Sequence, residues 1–362
     1  MKIVVLAGGT STERDVSLKS GSMIAQALRR SGHTVILLDV YLGYDGPYAE
    51  EIFAHAEEIS AEAGEIADRA PDIAAVRSMR EDPDVYFGPH VIDICRAADL
   101  VFLGLHGENG ENGKLQAAFD LFGIRYTGSG YLGSALAMDK DMARSLMIPA
   151  GIPMAEGFTL AKSSLSSAAT QGEDGQIRTD TASAAMPSFG FPCVVKPCCG
   201  GSSIGVSIVR SPEEYHAALD AAFAYEDRVV VEKFIAGREF SAGVIDGEAY
   251  PIIEIAAVGG VYDYAHKYQA GGAVETCPAD IPDEVAAQMQ AYALRAAQVL
   301  RLEVYCRMDF IMDAAGGIYC LEANTLPGMT PVSLIPQEAA ARGMTYEELC
   351  ETVIAASLRK YE

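Results

Sequence analysis

The sequence predicts an α/β protein with more than one packed unit, on three observations. Half of its 362 residues are hydrophobic, and at roughly 100–200 residues per domain two or three domains are expected. The first forty residues alternate an apolar run, a stretch with helical spacing and a second apolar run. A later apolar run ends in a glycine-rich polar segment, where open α/β sheets place their ligands.

Taken in order, Lys2 to Leu6 is a strand, Ser17 to Arg30 a helix and Thr34 to Val40 a second strand. An acidic, alanine-rich stretch from Tyr48 to Ala70 reads as helical. Asp99 to Leu105 is a buried strand that runs into His106-Gly107-Glu108-Asn109-Gly110-Glu111-Asn112-Gly113. Tyr126-Thr127-Gly128-Ser129-Gly130 punctuates the chain before a helix from about Tyr131 to Met147, and the first domain boundary falls there. Between Lys162 and Ser188 small polar residues dominate, which suits a mobile surface insertion rather than a core. Phe191 to Lys196 and Val206 to Val209 are strands around a glycine-rich turn. Ser211-Pro212-Glu213-Glu214 is a capping box with proline at the first helical position, opening a helix to about Tyr225. Arg228 to Ile235 is a β run, and Asp246-Gly247 marks a hairpin turn between Glu239 to Ile245 and Glu248 to Ile255. Ala257 to Ile281 lacks periodicity yet crowds Tyr262, Tyr264, His266, Lys267 and Tyr268 together; a loop that long inside a compact domain is usually a functional lid or disordered. A helix from about Pro282 to Arg301, a hairpin and two helices complete the chain.

The charge balance, 27 Lys+Arg against 50 Asp+Glu, gives −23 and opposes binding to nucleic acid or acidic membrane surfaces. A phosphorylated ligand would need basic residues gathered locally, or a metal ion. No run of about 18 apolar residues exists, and MKIVVLAGGT is too short for a secretion signal, so a cytoplasmic protein is expected. The eight cysteines show no C-x-x-C pair and no zinc spacing, which reads as reduced thiols used in packing.

Val304 to Thr325 carries the chemistry. Two β runs flank Ala314-Ala315-Gly316-Gly317; if those four residues are the turn, Asp313 pairs with Ile318, Asp309 with Glu322 and Arg307 with Asn324. Alternation then puts Arg307, Asp309, Glu322 and Asn324 on one face, and Met308, Phe310, Met312, Tyr319, Leu321 and Ala323 on a core face. Facing carboxylates repel unless a cation lies between them. A divalent metal is the economical answer, and hard oxygen donors suit Mg²⁺ or Mn²⁺ better than zinc. The alternative is a solvated polar face with Arg307 bridging the acids. Lys196-Pro197-Cys198-Cys199-Gly200-Gly201-Ser202-Ser203-Ile204-Gly205 offers backbone N–H groups, hydroxyls and one cation, as phosphate-cradling loops do, although a plain glycine-rich hairpin has the same composition. It is not a Walker loop, because its lysine precedes the glycines. Gly8-Gly9-Thr10 to Val16, which includes Glu13, joins the first strand to the first helix without the G-x-G-x-x-G of dinucleotide sites; Glu13 also fits an ordinary helix N-terminal charge.

These blocks together resemble the D-alanine:D-alanine ligases of the ATP-grasp superfamily along nearly the whole chain. The resemblance rests on GGTSTERDVSLKSG (8 to 21), LHGENGENGKLQ (105 to 116), YTGSGYLGSALAMDK (126 to 140), VVKPCCGGSSIGV (194 to 206), VEKFIAGREF (231 to 240), YDYAHKYQAGG (262 to 272), RMDF (307 to 310) and LEANTLPGMTPVSL (321 to 334). It implies a three-part ATP-grasp architecture: an N-terminal parallel-sheet α/β domain (1–127) and two α+β ATP-grasp subdomains (128–235, with the 162–188 insertion, and 236–362, with a lid at 257–281). The family reaction joins two D-alanine molecules with ATP through an acyl phosphate, for peptidoglycan precursor and cell-wall synthesis.

By the same resemblance Lys140 and Lys196 meet ATP phosphates, Glu232, Lys233 and Ile235 the adenine, and Glu239 the ribose. Asp309, Glu322 and Asn324 match ligands of two Mg²⁺ ions, with Mn²⁺ as a substitute. Arg307 matches the oxyanion-stabilising arginine, and Glu13 the acid that holds the first ammonium group and forms, with Ser202 and Tyr268, a hydrogen-bonded set near the substrates. Lys267, Gly328, Ser333 and Leu334 match the second subsite; His106 borders it or is a structural histidine. Tyr268 favours D-alanine over D-lactate as second substrate. A D-alanine:D-serine or D-alanine:D-lactate ligase, or a catalytically silent ATP-binding protein on the same fold, are the competing readings. A homodimer is the family expectation. Two departures stand out: Cys198-Cys199-Gly200 replaces more polar residues, and the 162–188 insertion is longer than usual.

Overall fold

The unbroken apolar run near the N-terminus becomes the central strand of a parallel sheet, buried on both faces as such runs require. In this computed structural model the described residues are 1–48, 51–61, 71–165, 170–171, 177–178, 186–200, 205–257 and 273–362. Strand β1 (Lys2–Ala7) lies between β2 (Thr34–Asp39) and β3 (Leu100–Leu103), parallel to both, and Ile3 to Ala7 are fully buried. Helix α1 (Arg14–Arg30) starts three residues before the expected Ser17.

The helix expected from Tyr48 to Ala70 is not formed in its described part. Only one 3₁₀ turn, Ile52–His55, appears in 51–61. Tertiary bonds win over alanine propensity there: the Ala61 N–H donates to the Leu37 carbonyl at 2.7 Å, and the Leu37 N–H donates to Ser60 Oγ at 3.0 Å. Residues 62–70 lie outside the described residues. Two short helices follow, α2 (Ile73–Ser78) and α3 (Val91–Ala97), then α4 (Lys114–Phe122) after the glycine-rich segment.

The single helix expected over 131–147 is two, α5 (Tyr131–Met138) and α6 (Lys140–Met147). Asp139 is extended between them and accepts from the Asp141 and Met142 amides, both at 3.1 Å. Arg228 also donates to its carboxylate at 2.8 Å. A residue recruited as an N-cap cannot continue the preceding helix.

A second, antiparallel sheet has the order β4-β9-β7-β8, made of β4 (Gly157–Ala161), β7 (Cys193–Pro197), β8 (Ser207–Val209) and β9 (Arg228–Lys233). The insertion after β4 is not wholly detached: Leu165 is buried in this sheet's core, and β5 (Thr170–Gln171) pairs with β6 (Ile177–Arg178). Helix α7 (Pro212–Phe223) packs on the sheet. Ser211 caps it by accepting from the Glu214 amide, but Glu214 returns its bond to the Arg210 amide at 2.7 Å, not to Ser211.

The third sheet runs β13-β12-β10-β14-β15, with β11 on the side of β10. Its strands are β10 (Gly237–Ile245), β11 (Glu248–Ala249), β12 (Ile253–Ala257), β13 (Ala273–Thr276), β14 (Tyr305–Asp313) and β15 (Ile318–Asn324). Asp246 and Gly247 have φ of 53° and 76°, the two left-handed positions a type I′ hairpin demands. The run expected from Glu248 to Ile255 is interrupted between β11 and β12, where Pro251 lacks the N–H to continue a ladder. Ala273–Thr276 is a strand where no periodicity is legible; the rest of the lid expectation, 258–272, lies outside the described residues. Helices α8 (Asp283–Val299), α9 (Leu334–Ala341) and α10 (Tyr346–Arg359) complete the fold.

The hairpin of β14 and β15 pairs Arg307 with Asn324 and Asp309 with Glu322, as counting outward predicts. The turn end is off by one: Met312, not Asp313, faces Ile318, and a bulge after Asp309 restores the register. The consequence is a change of face. Ile318 and Cys320 join Met308, Phe310, Met312 and Ala323 on the core side, whereas Tyr319 and Leu321, expected in the core, do not. Leu321 and Glu322, though consecutive, both line a cavity.

Behind the sheet, Phe240, Ala242, Met308 and Phe310 pack with Met289, Ala293 and Ala296 of α8 into one core. All eight cysteines are free, six of them buried. Burial pushes the Cys193 thiol up to about 11 and the Cys198 thiol, helped by Glu226, to about 12, as suits packing residues. Among the described residues no helix is long and apolar enough to cross a membrane. Phe310 is fully buried at the centre of the core, so Phe310→Ala should cost about 3–5 kcal/mol in urea denaturation. A loss under about 1 kcal/mol would show that α8 does not depend on it.

Candidate functional site

The front face of the third sheet carries the odd-numbered residues of β10 and β14, because side chains alternate with period two. It opens on a cavity of about 430 Å³ that also reaches the second sheet, the end of β3 and the start of α1. Every expected site residue among the described ones lines it: Glu13, His106, Lys140, Lys196, Glu232, Lys233, Ile235, Glu239, Arg307, Asp309, Glu322, Asn324, Gly328, Ser333 and Leu334. Ser202, Lys267 and Tyr268 lie outside the described residues.

On the hairpin, Arg307 grips Asp309 with two bonds, Nε to Oδ1 and Nη2 to Oδ2, each 2.8 Å. Asn324 Nδ2 donates to Oδ2 and Ser241 Oγ to Oδ1, both at 2.9 Å. Asp309 thus accepts four bonds, about as many as a carboxylate can. Burial disfavours the charged Arg307 guanidinium, but Asp309, by charge and by hydrogen bond, and Glu322 more than offset it and hold its pKa above the ordinary value. Across the strand, Glu322 Oε2 stands 3.5 Å from Lys140 Nζ, which also donates to the Gly200 carbonyl at 2.6 Å.

Deeper in, Glu232 takes two cations: Lys196 Nζ at 2.6 Å on one oxygen and Arg144 Nη1 at 2.5 Å on the other. Arg144 was not legible as a site neighbour, although it sits four residues after Lys140 and therefore on the same face of α6. Glu232 and Lys233 neighbour an apolar end of the cavity lined by Val194, Ile208, Ile235 and Leu321.

On the N-terminal side, Arg14 Nη1 donates to the Gly9 carbonyl at 2.7 Å and Nη2 pairs with Asp39, both carried in the buried interior. This fixes the glycine turn ahead of Glu13, the N-cap position of α1. His106 is buried, with Nδ1 2.9 Å from the Leu326 carbonyl and Nε2 3.2 Å from Ser20 Oγ. A carbonyl only accepts, so Nδ1 carries the proton and Ser20 donates to Nε2. Burial lowers the His106 pKa and keeps the ring neutral. His106 therefore lines the cavity and holds structure at once.

Glu111 belongs to the glycine-rich segment after β3, where nothing in the sequence separates it from its polar neighbours. It is buried against the cavity, accepting from the Gly107 amide at 2.6 Å and the Leu326 amide at 3.2 Å. Burial first, then Glu13, push its carboxyl up to about 7. On the opposite wall, Ser333 Oγ is 2.8 Å from Thr330 Oγ1 and accepts from the Thr330 amide at 3.1 Å, and Leu334 packs on Ile253 and Ile255.

The chain was compared with known proteins. The family description "D-ala D-ala ligase N-terminus" matches residues 2–129, and "D-ala D-ala ligase C-terminus" matches residues 146–355. A D-alanine–D-alanine ligase of Pediococcus pentosaceus is 43% identical over 100% of this chain and 99% of that protein; one of Lacticaseibacillus casei is 41% identical over 100% and 97%. The crystal structure of a Bacillus anthracis D-alanine–D-alanine ligase complexed with ATP superposes with a TM-score of 0.72 at 26% identity, covering 99% of this chain and 98% of that one. With matches to both halves and relatives above 40% identity along its full length, the chain belongs to the D-alanine:D-alanine ligase family.

Proposed function

We propose that the protein ligates two D-alanine molecules to D-alanyl-D-alanine at the expense of ATP, for peptidoglycan precursor synthesis. The observation that carries this reading is the single cavity in which Arg307, the facing acids Asp309 and Glu322, and the cations Lys140 and Lys196 converge. In the first step the carboxylate of one D-alanine takes the γ-phosphoryl group of ATP, giving an acyl phosphate and ADP. In the second, the amine of another D-alanine attacks the acyl carbon, loses a proton and expels phosphate.

The chain's residues divide this work by their chemistry. Lys140 and Lys196 offer positive charge to the phosphates, at the two ends of the route from Glu322 to Glu232. Glu232, Lys233 and Ile235, beside the apolar end, suit the adenine, and Glu239 the ribose. Arg307, always charged, stabilises the oxyanion of the tetrahedral intermediate. Glu13 holds the first ammonium group; Gly328, Ser333 and Leu334 line the second subsite, with His106 at its border, and the family resemblance adds Ser202 and Tyr268 to the set of Glu13 and Lys267 to the second subsite.

Asp309 and Glu322 are hard donors facing each other. Asn324 commits its amide N–H to Asp309, so its carbonyl oxygen is the donor left to a metal. That set fits Mg²⁺, or Mn²⁺ in its place, better than zinc, and Asp309 would exchange one of its four hydrogen bonds for the ion. Two such ions, shared through Glu322, would supply charge neutralisation on the phosphates. We read residues 1–127, 128–235 and 236–362 as the three parts around this site, acting in a homodimer.

Three measurements test the reading. Phosphate release should be fastest with D-alanine as second substrate; D-lactate outcompeting it near neutral pH would overturn the choice. Glu322→Gln should lower turnover about 100-fold or more, and near-normal turnover at ordinary Mg²⁺ would refute the hairpin assignment. The third concerns Glu111, whose carboxyl is pushed up to about 7 from 4.5. The folded state then keeps a proton that the unfolded chain has lost, so this contribution to stability is full at low pH and is lost as pH rises toward 7. Measured against Glu111→Gln in urea, wild-type stability should fall across that window and level off above it. A constant difference would remove Glu111 from the titrating groups of the cavity.

A further inference from the structure

Glu338 is fully buried on α9, yet it lies outside the cavity and no role above uses it. It is the fifth residue of that helix, one turn beyond Leu334, so the two share a helix face. That face lies on the front of the third sheet, where Leu334 covers Ile253 and Ile255. Gly243 of β10 lies beneath Glu338 and is the cross-strand partner of Arg307, so the position a Gly243 side chain would take is on Arg307's own face. A Cβ there would come within 2.3 Å of Glu338 Oε2 and 2.5 Å of Ile335 Cδ1. Only glycine lets α9 come down this close.

The backbone explains why an acid fills the space. Pairing between β10 and β12 stops at Ser241 with Ile253, and pairing with β11 begins at Val244 with Ala249. Gly243 falls in the gap opened at Pro251. Its carbonyl accepts from the Tyr250 amide at 2.8 Å, while its own amide donates to Glu338 Oε2 at 2.7 Å. A leucine would fill the volume without the burial penalty but would leave this amide unpaired. The second oxygen, Oε1, has no partner among the described residues.

We infer that Glu338 is a positioning residue of the ligation site: by completing the ladder at Gly243 it fixes α9 on the sheet, and thereby sets Ser333 and Leu334 across the cavity from Arg307. The inference rests on the ligase reading for its functional consequence, not for its geometry. Burial pushes the Glu338 carboxyl well above the ordinary range, against the opposing pull of the Gly243 bond and of Arg307, so a neutral amide is a fair replacement for it. Glu338 touches no reacting atom and acts only through the helix it anchors.

The test compares wild type, Glu338→Gln and Glu338→Leu. Glutamine keeps an acceptor for the Gly243 amide; leucine keeps the volume and removes the acceptor. In initial-rate kinetics, Glu338→Leu should raise the KM for the second D-alanine about tenfold, the size expected of one orphaned buried donor, with the KM for ATP within about twofold. Glu338→Gln should restore wild-type values. Equal changes in both KM values, or no change in either, would overturn the inference. Amide hydrogen exchange over residues 330–341, without substrates, gives a second reading: faster in Glu338→Leu and unchanged in Glu338→Gln is the expected result, and equal rates in all three would overturn it. The expected exchange pattern across the three proteins, together with a wild type that forms no dipeptide, would defeat the ligase reading and leave the anchoring of α9 established.

Discussion

The grip of Arg307 on Asp309 is the interaction on which the front of the third sheet depends. Asp309 and Glu322 face each other on neighbouring strands, with Glu239 two residues along the same side of β10 from Ser241. Like charges so placed repel and would weaken the pairing of β14 with β15. Arg307 removes the conflict at Asp309 with a planar, two-bond contact, and both side chains are only 16% exposed. At that burial, deleting one partner leaves a charge stranded, which typically costs about 3–5 kcal/mol. The pair is therefore one whose loss the sheet tolerates poorly.

The remaining cations of the cavity follow the same logic. Lys140 stands against Glu322, and Lys196 and Arg144 share Glu232. Each of these three charges is held in place by an acid before any ligand arrives, and preorganised charges need no rearrangement when charge develops. This resolves the tension in a chain of net charge −23 that handles a triphosphate. Whole-protein charge governs long-range attraction and argues against nucleic acid; a desolvated pocket is governed by the few groups within several ångströms, and here those are arranged locally.

The hairpin shows how far sequence reasoning reaches. Period-two alternation and a counted turn pair Asp309 with Glu322 and Arg307 with Asn324, and these pairings hold only because a bulge after Asp309 cancels a one-residue error at the turn. The count also erred, placing Leu321 and Tyr319 in the core, since nothing in the composition marks a bulge and one extra residue reverses every side chain beyond it. Asp139 illustrates a second limit. Its role as a cap that splits a helix depends partly on Arg228, 89 residues away. Arg144 beside Glu232 and Glu338 above Gly243 are illegible for the same reason: a charged residue on a helix reads as surface until the fold supplies its partner.

The junction between the first and third sheets explains why the site is assembled where it is. The backbone of Leu326, just past β15, is held from both sides by the glycine-rich segment after β3: its amide by Glu111 and its carbonyl by His106. Nearby, Ser129 Oγ and the Glu303 backbone bond each other, and Lys360 donates to the Gly128 carbonyl at 2.6 Å. The segment from Leu326 to Ser333 carries one wall of the cavity, and Glu13 and His106 belong to the other. Neither sheet alone encloses the space. Because buried amides and carbonyls must find partners, the two walls are joined by bonds that each needs from the other, and Glu111, whose carboxyl burial and then Glu13 push up to about 7, lies at the point where they meet.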